Sequence, residues 1–274
     1  MLQQEKRRYL LAFGILGVLL LALLILNLRI GSVKVPMDEL WPILRGHSRE
    51  NTAGQIIWTI RMPRMIAAAV LGGALAVAGF LLQTFFSNPI AGPFVLGISS
   101  GAKLTVAIAM ILSLKVGLNL SSGMMIVAAF VGAGLSMGLI LAISGRVGRM
   151  SVLVVCGVMI GYICSAITDF MVTFAEDSNI VNLHNWSRGS FSGTSWENVR
   201  TMVPVVLIAM LLSFLLSKPM GAYQLGEKYA ASLGVNLRRL RLALIFLSSI
   251  LAATVTAFAG PISFLGIAAP HLIR

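Results

Sequence analysis

The sequence predicts an all-α, polytopic transmembrane helical bundle, on three observations. Hydrophobic residues make up 58% of the 274 positions. Charged residues make up 11%, less than half of the about one quarter usual in soluble domains. Apolar runs recur along the chain, several reaching the roughly 20 residues that a helix needs to cross a hydrocarbon layer about 30 Å thick. The net charge of +12 lies mainly between the runs, where Lys and Arg orient spans, and is not read as a nucleic-acid surface.

Seven runs read as full spans: 9–28, 64–86, 94–112, 124–143, 152–171, 201–217 and 242–259. An eighth begins near Ile262 and is cut off at Arg274. The first follows Lys6, Arg7 and Arg8, which hold its start in the cytoplasm. A signal peptide would have a shorter apolar core and a small-residue cleavage site, so this run is read as retained. With the N-terminus inside, 29–63, 113–123 and 172–200 fall outside, and 87–93, 144–151 and 218–241 inside. Arg146, Arg149, Lys218, Lys228, Arg238, Arg239 and Arg241 then face the cytoplasm, a modest bias because 29–63 and 172–200 are long and basic too. Segment 172–200, with Trp186 and Trp196, suits a short surface helix and turn at an interface.

Small residues let helices approach in lipid, where no hydrophobic force drives association. Ala68, Gly72, Ala76, Gly79 and Gln83 share one face of the second run; Gly134 and Gly138 form a GxxxG pair in the fourth. Gly157, Gly161, Cys164, Ser165 and Thr168 share a face of the fifth, and Ser249, Ala252, Ala253 and Thr256 a face of the seventh. Packing alone accounts for such stripes. In the fifth run small and polar residues coincide, and Gly161, Ser165 and Thr168 are candidates for a pathway wall.

Ionisable residues within the runs are few; Lys103 and Asp169 stand out, each near enough to an end to reach the interface. No midplane carboxylate stands out, as a self-contained ion-coupled carrier would require. His47, His184 and His271 are scattered, with no HExxH and no metal spacing. Cys156 and Cys164 lie eight apart in one run, about 12 Å along a helix and too far for a disulfide. No G-x-x-x-x-G-K-[ST] loop occurs, so the chain is expected to bind no ATP through a P-loop, no metal and no cofactor of its own.

One polar insert interrupts this pattern, "GEKYAASLGVNLRRLR" at 226–241. Ala230, Leu233 and Leu237 fall at i, i+3 and i+7, a narrow apolar stripe for a partner surface; Gly226 and Gly234 punctuate it. Arg238, Arg239 and Arg241 anchor the start of the next run at the headgroups. Two further segments are distinctive. Arg61 and Arg64 flank Pro63, read as the first turn of the second run, where proline is tolerated. "SNPIAGP" at 87–93 is a tight turn by its Asn-Pro and Gly-Pro signals.

Residues 61–104, "RMPRMIAAAVLGGALAVAGFLLQTFFSNPIAGPFVLGISSGAKL", resemble the second and third spans of the FecCD-type permeases of vitamin B12 and ferric-siderophore ABC importers. "GEKYAASLGV" (226–235) resembles their cytoplasmic coupling segment, and "AGPISFLGIAAPHLIR" (259–274) their G-P-I-x-F-x-G…P-H-x-x-R signature. The resemblance runs along nearly the whole chain in order. It implies a single permease domain, 1–274, of a fold with about ten spans, of which this sequence holds seven and part of an eighth. It implies that 218–241 is a pair of short helices set in a groove of an ABC ATPase subunit, with Gly226, Glu227, Ala230, Leu233 and Gly234 in the contact. It implies that Arg61 and Arg64 meet glutamates of an extracytoplasmic substrate-binding protein, and that Asn88 and Ile90, with Met150 and Ser151, surround the cytoplasmic exit. ATP would sit on the partner subunit, a second permease would complete a homo- or heterodimer, and the location would be the bacterial plasma membrane. The expected cargo is an iron-siderophore, haem or cobalamin. The alternative is a self-contained secondary transporter of a small solute, which needs an intramembrane ion site.

Overall fold

The computed structural model describes the chain apart from residues 1, 47–50, 116–120, 145–146, 148–149, 175–176, 263 and 274, and apart from the side chains of 2–6, 95–96, 114–115, 122, 150–151, 177–179 and 273. His47, Arg146 and Arg149 of the sequence reading lie outside the described residues. Among those described, every regular element is helical. In chain order they are α1 (Leu2–Arg29), α2 (Met37–Leu44), α3 (Thr52–Gln55), a π turn (Ile56–Arg61), α4 (Met62–Phe86), a 3-10 turn (Pro93–Leu96), α5 (Ile98–Lys115), α6 (Ser122–Ser144) and α7 (Met150–Thr173). They continue with α8 (Asp177–Ser187), α9 (Trp196–Leu215), α10 (Ser217–Gln224), α11 (Glu227–Ser232), α12 (Leu237–Ala259) and α13 (Leu265–Ile273).

Six of the described helices are long and apolar enough to cross a membrane: Arg7–Arg29, Thr52–Phe86, Gly123–Ser144, Val152–Thr173, Trp196–Leu215 and Leu237–Ala259. The run expected at 94–112 is broken at its start. Its first residues form the 3-10 turn, Gly97 is left-handed (φ 69°), and the apolar helix that follows, Ile98–Ser113, is shorter than the six. The second run starts earlier than expected. Helix begins at Thr52 and continues through the π turn to Phe86, so Pro63 lies well inside a helical run and not in its first turn. Proline has no N–H for the carbonyl four residues back. The π turn stands immediately before it, where the regular ladder would fail anyway.

The chain divides into two compact units, the boundary falling within α4 and again within α9. The first unit is Met1–Ala68 with Thr194–Val199. Its small core is Leu28, Val35, Leu40, Ile43 and Ile57, with Trp58, Met62 and Met65 packed against it. Asp38 and Glu39 sit in the first turn of α2, where the helix dipole favours negative charge. Trp58 Nε1 donates to the Ile43 carbonyl at 3.1 Å; Trp196 stacks on Trp58 and donates to its carbonyl at 2.7 Å.

The second unit is Ala69–Gly193 with Arg200–Arg274. α12 is its most enclosed long helix and packs on α5 and α6. Ser249, Ala252, Ala253 and Thr256 are all buried, and the Thr256 hydroxyl lies 3.5 Å from that of Ser99. The small-residue face of α4 packs on α13: Gly72 faces Leu265, and a β-carbon at Gly79 would land inside the Gly266 carbonyl. α5 and α6 cross at Gly101 and Gly132, whose backbones leave no room for side chains. The expected GxxxG pair of α6 does not make this contact, since Gly134 and Gly138 face open space. Gly132 lies on another side of the helix, and it is the one with a glycine opposite it.

Candidate functional site

Three places carry the candidate residues. The α10–α11 segment is built by two glycines in conformations that side chains avoid. Gly226 enters α11 at φ 128° and Gly234 leaves it at φ 81°. At the exit, Val235 N–H bonds to the Ala230 carbonyl (3.1 Å) and Gly234 N–H to that of Ala231 (3.0 Å), the paired closure that a left-handed residue after a helix permits. The stripe expected from the sequence divides. Ala230 is fully buried and belongs to the chain's own packing, so it offers no surface. Leu233 is exposed, and so are Leu225 and Tyr229, which the sequence reading missed. Leu225 ends α10, Tyr229 lies in α11 and Leu233 closes it; the break at Gly226 between them means that no helical spacing in the sequence groups the three.

Glu227 is tied down. Its carboxylate takes Arg241 Nη2 at 2.5 Å and the Tyr223 hydroxyl at 3.0 Å. Burial pushes the Glu227 carboxyl up, but the hydrogen bonds from Arg241 and Tyr223 and the Arg241 charge outweigh it and hold it below the usual carboxylate value. Burial raises the Tyr223 phenol. Arg238 and Arg239 are exposed beside them, and Asn236 caps α12 by accepting from Arg239 N–H at 3.0 Å.

The second place is the end of α4. Ser87 N–H bonds to the Thr84 carbonyl and Asn88 N–H to that of Gln83, again the paired closure of a helix end. Here the left-handed residue is Ser87 (φ 48°). Asn88 Oδ1 accepts from Ile90 N–H at 3.0 Å, the local turn that asparagine side chains favour, and leaves Ile90 70% exposed. A cleft of about 420 Å³ opens here, lined by Phe80, Gln83, Thr84, Ser87, Asn88, Pro89 and Gln224. Gln83 Nε2 donates to the Ile267 carbonyl at 3.2 Å, while its Oε1 is buried with no partner among the described residues. Met150 and Ser151 open α7, but their side chains lie outside those described. Further along α7, Gly161 lies against Gly97. Ser165 is half-buried, and Thr168 is fully buried with its hydroxyl on the Cys164 carbonyl at 2.8 Å.

The third place, in the first unit, holds Arg61 and Arg64 in a cleft of about 410 Å³ with Asn27, Ile30, Gly31, Ser32, Val33, Ile56 and Ile60. The two arginines differ. Arg61 is buried, and its guanidinium donates to the carbonyls of Leu28 and Val33. It thereby satisfies the end of α1, where carbonyls lack intrahelical partners. Arg64 is exposed.

Known proteins are similar to this chain in sequence and in fold. It is 33% identical over 267 residues to the hemin transport system permease protein HmuU of Yersinia pestis, covering 96% of this chain and 78% of that protein. It is 34% identical over 281 residues to the vitamin B12 import system permease protein BtuC of Vibrio cholerae, covering 100% and 80%. It is 35% identical over 277 residues to the Fe(3+)-citrate import system permease protein YfmE of Bacillus subtilis, covering 99% and 80%. Among solved structures, an inward-facing conformation of a metal-chelate type ABC transporter matches with a TM-score of 0.81 at 27% identity, over 95% of this chain and 79% of that one. The FecCD transport family model matches residues 19–274, a stretch that takes in all three places just described, and the chain belongs to that family.

Proposed function

We propose that the chain is the membrane-spanning permease subunit of an ABC importer for an iron-siderophore, haem or cobalamin. An external binding protein delivers the cargo, a separate ATPase drives the cycle, and a second permease completes the pathway in a bacterial inner membrane. The N-terminus is cytoplasmic, and Ile98–Lys115 completes a seventh span, with α13 the start of an eighth.

The observation that carries this reading is the α10–α11 pair, with Leu225, Tyr229 and Leu233 exposed on a segment braced from behind by Glu227 and Arg241. A rigid pair of short helices with a large apolar face suits docking into a groove. The ATPase then acts by binding two states of the permease unequally, which is what any such switch requires. Arg64 is the exposed charge that suits registering a binding protein, since exposed opposite charges steer docking partners. Arg61 supports that site by holding its wall. Asn88 and Ile90 stand at the cytoplasmic exit, with Met150 and Ser151.

The test is co-purification from membranes with candidate ABC ATPases. Leu233→Asp is expected to leave the chain folded and to remove the ATPase. Pull-down at the wild-type yield would sink the assignment of this face.

A further inference from the structure

Three consecutive residues in the last turn of α4 meet two other elements of the second unit, α13 and α10. Gln83 holds the Ile267 carbonyl of α13. The Thr84 hydroxyl accepts from Gln224 Nε2 at 3.1 Å. The Phe85 carbonyl lies 3.5 Å from the Tyr223 hydroxyl. Tyr223 and Gln224 are the last two residues of α10, and α11 begins at Glu227, past Leu225 and Gly226. The segment with the exposed apolar face is therefore bonded to a helix end more than a hundred positions away in sequence. That helix end runs without interruption into Ser87, Asn88 and Ile90.

We propose that Tyr223 and Gln224 form the joint through which movement of α10–α11 turns the last turn of α4 and, with it, the 87–93 turn. The proposal rests on the importer reading above and adds the residues that carry the motion. Two features fit a joint. The Tyr223 hydroxyl has one proton and two acceptors, Glu227 at 3.0 Å and the Phe85 carbonyl at 3.5 Å. The nearer, charged acceptor takes it here, and a small rotation would hand it to the other. The cleft of about 420 Å³ lies on the same residues, with Thr84, Ser87, Asn88 and Gln224 in its wall, so the turn has space to move into. Close-packed interfaces switch between discrete arrangements and do not deform continuously; a polar joint beside a cleft can hold two.

The test reads the coupling between the two segments directly. Cys156→Ser, Cys164→Ser and Ile90→Cys are introduced into the full-length protein, which is placed in nanodiscs with the ABC ATPase that co-purifies with it. Labelling of position 90 by a polar maleimide is timed with and without ATP and Mg²⁺. ATP is expected to change the wild-type rate by at least about fivefold, the lower end of ordinary allosteric coupling. Tyr223→Phe with Gln224→Ala is expected to keep ATPase co-purification and ATP hydrolysis while the rate ratio falls to near one. Thr84→Val should reproduce that loss and Thr84→Ser should not, which separates a bonded joint from a general loss of packing. A ratio that survives in the double variant overturns the joint. So does loss of ATPase co-purification in that variant, which would make the pair part of the docking surface. If the unsubstituted chain captures no ATPase, the importer reading itself fails and takes the joint with it.

Discussion

Ser87 holds a left-handed backbone at φ 48°, which disfavours a residue with a β-carbon by roughly 1–2 kcal/mol. Ser87→Gly is therefore expected to raise the thermal midpoint in detergent, by an amount matching about 1 kcal/mol; an unchanged or lowered midpoint would mean the serine side chain repays its strain. Glu227 gives a pH prediction. Its carboxyl is held below the usual value in the folded chain, so its contribution is present above the unfolded-state pKa and lost as pH falls through the folded one. The stability gap between wild type and Glu227→Gln should be open at neutral pH and close in acid, read from melting midpoints across a pH series. Gly31 is the third such position. A β-carbon there would sit 2.7 Å from Arg61 Nη2, the movable end of that side chain, so Gly31→Ala should displace the guanidinium from its carbonyls and lower the melting midpoint by an amount matching about 1–3 kcal/mol, the worth of a charged hydrogen bond.

At the scale of elements, glycines of equal appearance in the sequence have unequal work. Gly79 meets the Gly266 backbone and Gly132 meets Gly101, whereas Gly134 faces open space. Gly79→Val should therefore reduce folded yield sharply, and Gly134→Val should stay within about 0.5 kcal/mol, measured side by side as monodisperse protein recovered. This is also where legibility from sequence ended. The helices of α1, α4, α6, α7, α9 and α12 were readable because length and apolarity are local properties. Which glycine of α6 faces α5 depends on the rotation of two helices, which a spacing rule does not contain. The π turn and the break at Gly97 were missed for a similar reason: Pro63 and Gly97 act through the helices before and against them. In the candidate site, the glycines of α11 and the Asn88 turn were legible as backbone chemistry. The burial of Ala230 and of Arg61, and the exposure of Leu225 and Tyr229, were not, because they depend on what the folded chain brings alongside.

For the molecule as a whole, the order of spans fixes which loops share a membrane face. Ile90, Leu233 and Phe174 are all exposed, and the proposed orientation puts the first two on one membrane face and the third on the other. Single cysteines at these positions, in a background free of Cys156 and Cys164, should label from opposite sides of sealed vesicles. Labelling of positions 90 and 233 from different faces would contradict the proposed order of spans. The first helix has a different standing. In Arg7–Arg29 the most apolar stretch has nothing buried; Leu28 is buried, and the end of the helix is held through Arg61. The exposed turns are thus constrained to be greasy but not to be any particular residue, since lipid makes no distinction among Leu, Ile, Val and Phe of the kind a packed neighbour makes. Such a stretch tolerates exchange among apolar residues, while the end held through Arg61 does not.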